Sequence, residues 1–276
     1  SLDTIHIASA VEAARQSDVA ILFCGSSSAS LARDYNETNC GEGFDLADLA
    51  LTGAQGKLIK AIHATGKPVI LVLVTGKPFS IAWEKKHIPA ILIQWYAGEQ
   101  EGSSIANILF GKTNPSGHLT VSFPQSSGHL PAYYNHLPTD RGFYHKPGSY
   151  EQPGRDYVFS SPGPLWAFGH GLTYTTFNYT DMQIQQSIDS IKVFVTVKNT
   201  GRWAGKAVPQ LYVRDVFSSI STPVKQLKAF NKVALEPGET TRVPLHFAVQ
   251  DLALTDEAGK TMVEPGSFEI MIGDAS

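Results

Sequence analysis

Cysteine is almost absent from this 276-residue chain, which has only Cys24 and Cys40. Two thiols close at most one bridge, too few to staple a domain of this size, and sequence says nothing of their distance or orientation. The compartment stays open on that count. Long apolar runs are also missing. Residues 68–74 and 90–93 are far short of the roughly 20 residues that a membrane-spanning helix requires, so no membrane partner is expected. Charge is balanced: 22 Lys and Arg stand against 25 Asp and Glu, a net charge of −3 with no basic block. A nucleic-acid partner would show a clustered Lys/Arg footprint, and none is present.

Several cofactor signatures are missing too. Among the nine histidines, none pairs at i, i+4 around a Glu and none lies beside a Cys in zinc spacing. No metal and no cofactor is therefore expected. No Gly-x-Gly-x-x-Gly opens a helix after the first predicted strand, and no Gly-x-Ser-x-Gly elbow supports a serine hydrolase. Gly111-Lys112-Thr113 looks like the tail of a phosphate loop, but Ala106 stands where that loop needs its first glycine. It reads as a helix cap followed by a turn.

What is present is a globular mixture, 42% hydrophobic and 17% charged with 24 Gly and 16 Pro. That is too apolar for wholesale disorder, and the length favours two domains. The chain opens Ser1-Leu2-Asp3 with neither Met nor an apolar leader, so any targeting signal is expected upstream.

The two halves differ. Asp18-Val19-Ala20-Ile21-Leu22-Phe23, Val69-Ile70-Leu71-Val72-Leu73-Val74 and Ala90-Ile91-Leu92-Ile93 are unbroken apolar runs. Such runs suit strands of a parallel sheet covered on both faces. Residues 4–16 before the first run, 54–64 between the first and second and 101–110 after the third read as amphipathic helices, the second stopped by Thr65-Gly66-Lys67-Pro68. This alternation predicts a three-layer α/β sandwich. Residues 125–164 are rich in Pro, Gly, Tyr and His without a period, an excursion packed on something. The last hundred residues read as all β. Residues 191–198 alternate, residues 208–213 give another strand, and Glu236-Pro237-Gly238-Glu239 and Glu264-Pro265-Gly266-Ser267 are turns in which Gly supplies positive φ. A small antiparallel sandwich is expected there.

The most unusual stretch follows the first strand, from Gly25 to Asp45. It leaves the C-terminal end of a parallel strand, where open α/β sheets place ligands. It carries four carboxylates, and Glu42 sits between Gly41 and Gly43. A carboxyl held by a tight turn without bulky neighbours can act as a general acid once burial or a like charge raises its pKa. Glu37 is the local competitor, and a solvated acidic loop is the plain reading of both. Trp95-Tyr96 at the end of the third strand is an aromatic pair suited either to sheet-edge packing or to stacking on a sugar.

These residues resemble a known family. Cys40-Gly41-Glu42-Gly43-Phe44-Asp45, Trp95-Tyr96-Ala97-Gly98-Glu99-Gln100-Glu101-Gly102, Asn114-Pro115-Ser116-Gly117-His118-Leu119 and Phe168-Gly169-His170-Gly171-Leu172-Thr173-Tyr174 occur in the order found in glycoside hydrolase family 3, the β-glucosidase and β-xylosidase group. Pro223-Val224-Lys225-Gln226-Leu227 and Glu236-Pro237-Gly238-Glu239 resemble its fibronectin type III-like module. Nearly the whole chain is covered.

The resemblance implies a partial α/β sandwich domain at 1–165, a connector at 166–180 and a fibronectin type III-like domain at 181–276. It also implies a retaining, exo-acting β-glycosidase working on β-linked oligosaccharides or glycosides, with an Asp nucleophile on an N-terminal (β/α)8 barrel. The family's acid/base Glu maps onto Glu42, with Glu37 as the alternative. Arg33, Asp34 and Tyr35 would touch substrate or tune that acid. Arg141, Tyr144, Arg155 and Tyr157 would line a rim or dock the barrel. Leu46 stands where many members carry Arg. These 276 residues supply one carboxyl of the pair, so the chain alone is expected to be inactive. The competing expectation is a non-catalytic carbohydrate-binding or scaffolding piece. The sequons at Asn36 and Asn178 need a eukaryotic secretory route, and a glycan at Asn36 would crowd Glu42, which favours a bacterial periplasmic or secreted protein.

Overall fold

The computed structural model describes residues 4–27, 46–138 and 160–276. By contact the chain forms two compact units. One comprises Ser1–Ser103, Phe123–Pro131 and Pro162–Leu165; the other comprises Ser104–Ser122, Ala132–Ser161 and Trp166–Ser276.

The first unit alternates helix and strand: α1 (Ile7–Arg15), β1 (Ala20–Gly25), α2 (Gln55–His63), β2 (Val69–Val74), α3 (Ala82–His87) and β3 (Ala90–Gln94). The strands form a parallel sheet of order β1-β2-β3, with Ala20 opposite Val69 and Ile70 opposite Ala90. Central β2 is covered on both faces, as its unbroken apolar run requires: Val69, Leu71, Val72 and Leu73 are all buried. Edge strand β1 departs from that expectation. Ile21 and Phe23, which share a face by strand alternation, are 40% and 61% exposed. Among the described residues β1 pairs with β2 alone.

Helix α2 buries Ile59 and Ile62 and ends as Thr65-Gly66 predicts. Gly66 takes φ 76°, and its N–H donates to the His63 carbonyl at 3.0 Å, closing the last turn. The six-residue α3 has no sequence signal, being too short to show a period. It is held by Trp83, which stacks on His87 at 4.3 Å between ring centroids and meets the edge of His63 at 5.4 Å.

Helix α4 (Glu101–Leu109) ends at Gly111, φ 70°, whose N–H donates to the Ile108 carbonyl at 3.0 Å. The Gly-Lys-Thr string is thus a left-handed helix cap. The second unit continues through β4 (Phe177–Gln186), β5 (Ser190–Asn199), β6 (Gly205–Ala207), β7 (Gln210–Asp215), β8 (Gln226–Phe230), β9 (Val233–Leu235), β10 (Thr240–Ala248), β11 (Leu254–Thr255), β12 (Thr261–Met262) and β13 (Phe268–Gly273). All its ladders are antiparallel, with sheets of order β10-β5-β4 and β13-β7-β8 and the small pairs β6-β9 and β11-β12.

Period two in β5 and β10 sends Val193, Val195, Val197, Val243, Leu245 and Phe247 into one core with Leu211 and Val213 of β7. The turn at 236–239 forms as expected, with Gly238 at φ 80° and the Glu239 N–H donating to the Glu236 carbonyl at 3.0 Å. The turn at 264–267 does not take the expected form, because Gly266 stays outside the positive-φ region. There Glu264 is engaged elsewhere, accepting the Ser219 N–H at 2.9 Å through Oε2.

In the described part of the excursion Tyr134 is packed, while Leu130, Tyr133 and Leu137 are exposed. Tyr134 stacks on Phe168 at 4.2 Å, meets Tyr212 edge-on at 5.8 Å, and its hydroxyl accepts the Leu227 N–H at 3.2 Å.

Candidate active site

Glu42, Glu37, Arg33, Asp34 and Tyr35 lie outside the described residues, as do Cys40, Arg141, Tyr144, Arg155 and Tyr157. What the structure does describe is the ground from which the segment 28–45 departs and to which it returns.

The departure point is Gly25, the last residue of β1. Its φ is 145°, and a Cβ there would come within 1.8 Å of the Val74 carbonyl oxygen, so only glycine lets β1 run so close to β2 at its end. Gln55, on the first turn of α2, reads both polar groups of that glycine. The Gly25 N–H donates to Oε1 at 2.7 Å, and Nε2 donates to the Gly25 carbonyl at 2.9 Å. Nε2 also reaches the Thr52 carbonyl at 3.2 Å. Among the described residues β1 has no strand on its other edge, and a side-chain amide satisfies its last peptide there.

One residue further on, the Ser26 N–H donates to the Val74 carbonyl at 2.9 Å, extending the ladder past the strand. The Ser26 hydroxyl lies 3.3 Å from Thr75 Oγ1 and 3.1 Å from the Tyr96 hydroxyl, which itself donates to the Ser26 carbonyl at 3.0 Å. Tyr96 therefore links the residues just beyond β1 and β3. Gly76, just past β2, makes room for it: a Cβ there would stand 2.8 Å from Tyr96 Cε2. Thr75 is fixed in turn, its hydroxyl donating to the Lys77 carbonyl at 2.8 Å and its N–H to the Gln94 carbonyl at 3.1 Å.

The returning end is held as well. The Leu49 N–H donates to Ser127 Oγ at 3.1 Å, and Ser127 Oγ donates to Asp48 Oδ1 at 3.2 Å. Asp48 Oδ1 also accepts the Ala50 N–H at 3.1 Å, and the Leu49 carbonyl accepts the Ser80 N–H at 2.9 Å. Both ends of the segment that carries Glu42 are thus tied by hydrogen bonds, the first to α2 and to residues just past β2 and β3, the second to Ser127 and Ser80.

The aromatic pair divides its work. Trp95 packs against Phe123 at 6.2 Å between centroids, and the Tyr96 hydroxyl is committed to Ser26. Sheet-edge packing, the plainer of the two expectations, accounts for both. Sequence reasoning passed over Gln55, Thr75 and Gln94. Gln94 ends β3 as a buried amide, and among the described residues neither its Oε1 nor its Nε2 has a hydrogen-bond partner.

Cys24 is a free, buried thiol. Burial, with a smaller contribution from the Glu84 charge, pushes it up to about 11, so it is not a nucleophile at neutral pH. Among the described residues no group of three or more His, Cys, Asp and Glu could hold a metal ion, and no helix is long and apolar enough to cross a membrane.

Residues 4–174 match the Glycosyl hydrolase family 3 C-terminal domain, and residues 207–276 match the Fibronectin type III-like domain. A Beta-xylosidase of Formosa agariphila is 40% identical over 272 residues, 97% of this chain and 35% of that protein. A Periplasmic beta-glucosidase of Salmonella typhimurium is 39% identical over 269 residues, 96% of this chain and 34% of that protein. Among solved structures, a β-glucosidase of Erythrobacter marinus superposes with a TM-score of 0.85 at 40% identity, covering 98% of this chain and 34% of that one. A β-glucosidase of Listeria innocua in complex with isofagomine gives 0.84 at 34% identity, covering 98% and 37%. The chain therefore spans about a third of the length of the relatives it matches.

Proposed function

The chain belongs to glycosyl hydrolase family 3, carrying its C-terminal α/β domain and the fibronectin type III-like domain that follows, and from that premise we propose that it is the acid/base-bearing part of a retaining, exo-acting β-glycosidase. Glu42 is the proton donor, with Glu37 the residue to test next. In the first step its carboxyl protonates the departing glycosidic oxygen while an Asp of an N-terminal (β/α)8 barrel attacks the anomeric carbon. In the second step the Glu42 carboxylate takes a proton from the water that releases the glycosyl-enzyme. Retention needs the two carboxyls about 5–5.5 Å apart, so the acid must reach across to a site built by other residues. Arg33, Asp34 and Tyr35 sit close enough in sequence to position that carboxyl or touch the sugar.

The observation that carries this reading is the anchoring of both ends of the segment. A proton donor on a long connection loses efficiency unless its ends are fixed, because a small misplacement at the reacting atom is costly. Gln55, Ser26, Thr75 and Tyr96 fix one end, and Asp48, Ser127 and Ser80 the other. The substrates in this reading are terminal non-reducing β-linked sugars of gluco- or xylo-type, after the names of the relatives. A periplasmic or secreted location follows the relative named as periplasmic. The domain division at 1–165, 166–180 and 181–276 is kept as part of the proposal.

The test is Glu42→Gln in the complete enzyme. Hydrolysis of substrates with poor leaving groups is expected to fall by about 10²–10⁴-fold, the range for losing a positioned acid. Aryl glycosides with good leaving groups should keep their first step, and azide should restore turnover as the glycosyl azide. Unchanged hydrolysis of poor leaving groups in Glu42→Gln refutes the assignment.

A further inference from the structure

His63 and His87 stand far apart in sequence, so no spacing motif joins them, yet the first unit brings their rings together. His63 is the last residue of α2 and His87 the last of α3. Their ring centroids are 5.7 Å apart, with the planes at 80°. Trp83 holds both. It stacks on His87 at 4.3 Å with 17° between the planes, and it meets His63 edge-on at 5.4 Å. Three rings in mutual contact turn far less freely than lone imidazoles on a surface.

One hydrogen bond assigns the tautomer of His87. Its Nδ1 lies 2.8 Å from the Trp83 carbonyl oxygen. A carbonyl only accepts, so in the neutral ring Nδ1 carries the proton and the lone pair is left on Nε2. Donation from the other ring nitrogen to a backbone carbonyl is how metal-ligating histidines are held. Both rings are partly exposed, which leaves them open to an ion from solvent. The separation fits as well: two imidazoles that share one ion at nitrogen–metal distances of ~2.0–2.1 Å place their ring centroids about 5–6.5 Å apart. The donor set selects the ion. Neutral ring nitrogens suit copper, nickel and zinc rather than magnesium or calcium, and copper(II) heads the affinity order. The Lys60 ammonium, 5.2 Å from the Trp83 centroid, opposes a second cation nearby, while the carboxyl end of α2 favours one.

We infer that His63 and His87 form a two-imidazole site for a first-row transition-metal ion of the copper(II) type, bound through Nε2 of His87 and a ring nitrogen of His63. Among the described residues no third His, Cys, Asp or Glu joins the pair, so water completes the coordination. The bound ion ties the end of α2 to the end of α3. Its consequence is stability that depends on the ion, because a ligand that binds the folded chain and not the unfolded one stabilises the fold. The site uses no residue of the proposed reaction, so the two readings fail separately.

The experiment is a copper(II) titration of this chain, followed by electron spin-echo modulation, by ¹H–¹⁵N NMR and by thermal melting, beside His63→Phe and His87→Phe. Phenylalanine keeps a flat ring against Trp83 and removes the ligand, and melting curves without metal check that each variant folds. The expected result in the parent is one tight equivalent of copper(II), modulation from two imidazoles, and broadening of the Trp83 indole N–H before the other tryptophans. The melting temperature of the first unit should rise with it. In each variant the second imidazole signal should vanish and binding weaken at least about tenfold, the cost of losing even an outer partner of a metal ligand. Modulation from a single imidazole in the parent, broadening that spares Trp83, or an unchanged titre in either folded variant would each overturn the site. The first two readouts need no variant, so a substitution that unfolds the chain leaves the inference open to refutation.

Discussion

Two buried amides in this chain face opposite fates, and replacing each by an apolar residue should move stability in opposite directions. Gln94, at the end of β3, is 8% exposed, and among the described residues neither polar atom of its side chain has a partner. Asn199, at the end of β5, is fully buried, and its side chain makes four bonds. Oδ1 accepts the Thr175 hydroxyl at 2.6 Å and the Gly201 N–H at 3.1 Å, while Nδ2 donates to the Trp203 carbonyl at 2.8 Å and the Leu235 carbonyl at 3.0 Å.

A buried amide without partners costs about 1–3 kcal/mol of desolvation. Gln94→Met removes that cost and loses one heavy atom of packing, worth at most about 1 kcal/mol. The net expectation is a gain near 1 kcal/mol, a rise of about 4 °C in the melting temperature of the first unit. Asn199→Leu does the reverse. It strands two donors and two carbonyls in a buried site, for a loss of roughly 3–5 kcal/mol. Urea and thermal denaturation of the two variants beside the parent chain, with each unit followed by its own tryptophans, supply the measurement. A Gln94→Met protein less stable than the parent by 1 kcal/mol or more (about one bond's worth) would mean that the amide is satisfied and the burial argument wrong.

Gly25→Ala should be far more damaging than either, because the new methyl would meet the Val74 oxygen at 1.8 Å in a backbone held at φ 145°. We expect a loss above about 4 kcal/mol, read as collapse of the first unit's transition while the second unit's persists; a loss below 1 kcal/mol (ordinary surface behaviour) refutes the close approach. Alkaline pH should erode stability with a defined window. Burial, helped by the Asp274 charge, raises Tyr179 to about 12; burial raises Tyr212 as well and lifts Cys24 from 9.0 to about 11. These groups keep their protons in the folded chain after the unfolded chain has lost them. Their contribution is thus complete below the unfolded values and disappears as pH rises through the folded ones, between about 9 and 12. Denaturation midpoints across that range, alongside phenolate absorbance at 295 nm, test it, and a flat midpoint would refute it.

The elements that were legible in the sequence are those where one physical signal dominates. The run from Val69 to Val74 could only be a strand covered on both faces, and β2 has those bounds. Alternation in residues 191–198 fixed which valines enter the core. Gly66, Gly111 and Gly238 were readable as chain reversals because each needs positive φ. What escaped has no local signature. Helix α3 owes its place to Trp83 and its ring partners. Gln55 and Gln94 are ordinary polar residues in sequence; only the structure shows Gln55 bonded to Gly25 and Gln94 buried. Gly266 follows the same Glu-Pro as Gly238 but does not take its positive φ.

The motif strings that carried the family resemblance do a different job from the one their specificity suggests. Asn114 Oδ1 accepts the Thr173 hydroxyl at 2.6 Å and the Tyr174 N–H at 2.8 Å, while Nδ2 donates to the Ala204 carbonyl at 2.8 Å. The Leu119 N–H donates to the His170 carbonyl at 2.8 Å, and the Gly169 N–H returns to the Leu119 carbonyl at 2.7 Å. A Cβ at Gly171 would sit 2.4 Å from the Gly117 oxygen, and one at Gly169 would sit 2.1 Å from Gln210 Oε1. The strings 114–119 and 168–174 are therefore two halves of one lock within the second unit, and their spelling is demanded by backbone contact. Chemistry constrains only a few atoms, whereas a lock of this kind constrains every residue that takes part in it. Two of the strings that carry the resemblance thus lie in the lock, while the proposed acid rests on a single glutamate between two glycines. The physical case for that glutamate must come from how its segment is held at both ends, by Gln55 and Tyr96 on one side and Asp48 and Ser127 on the other.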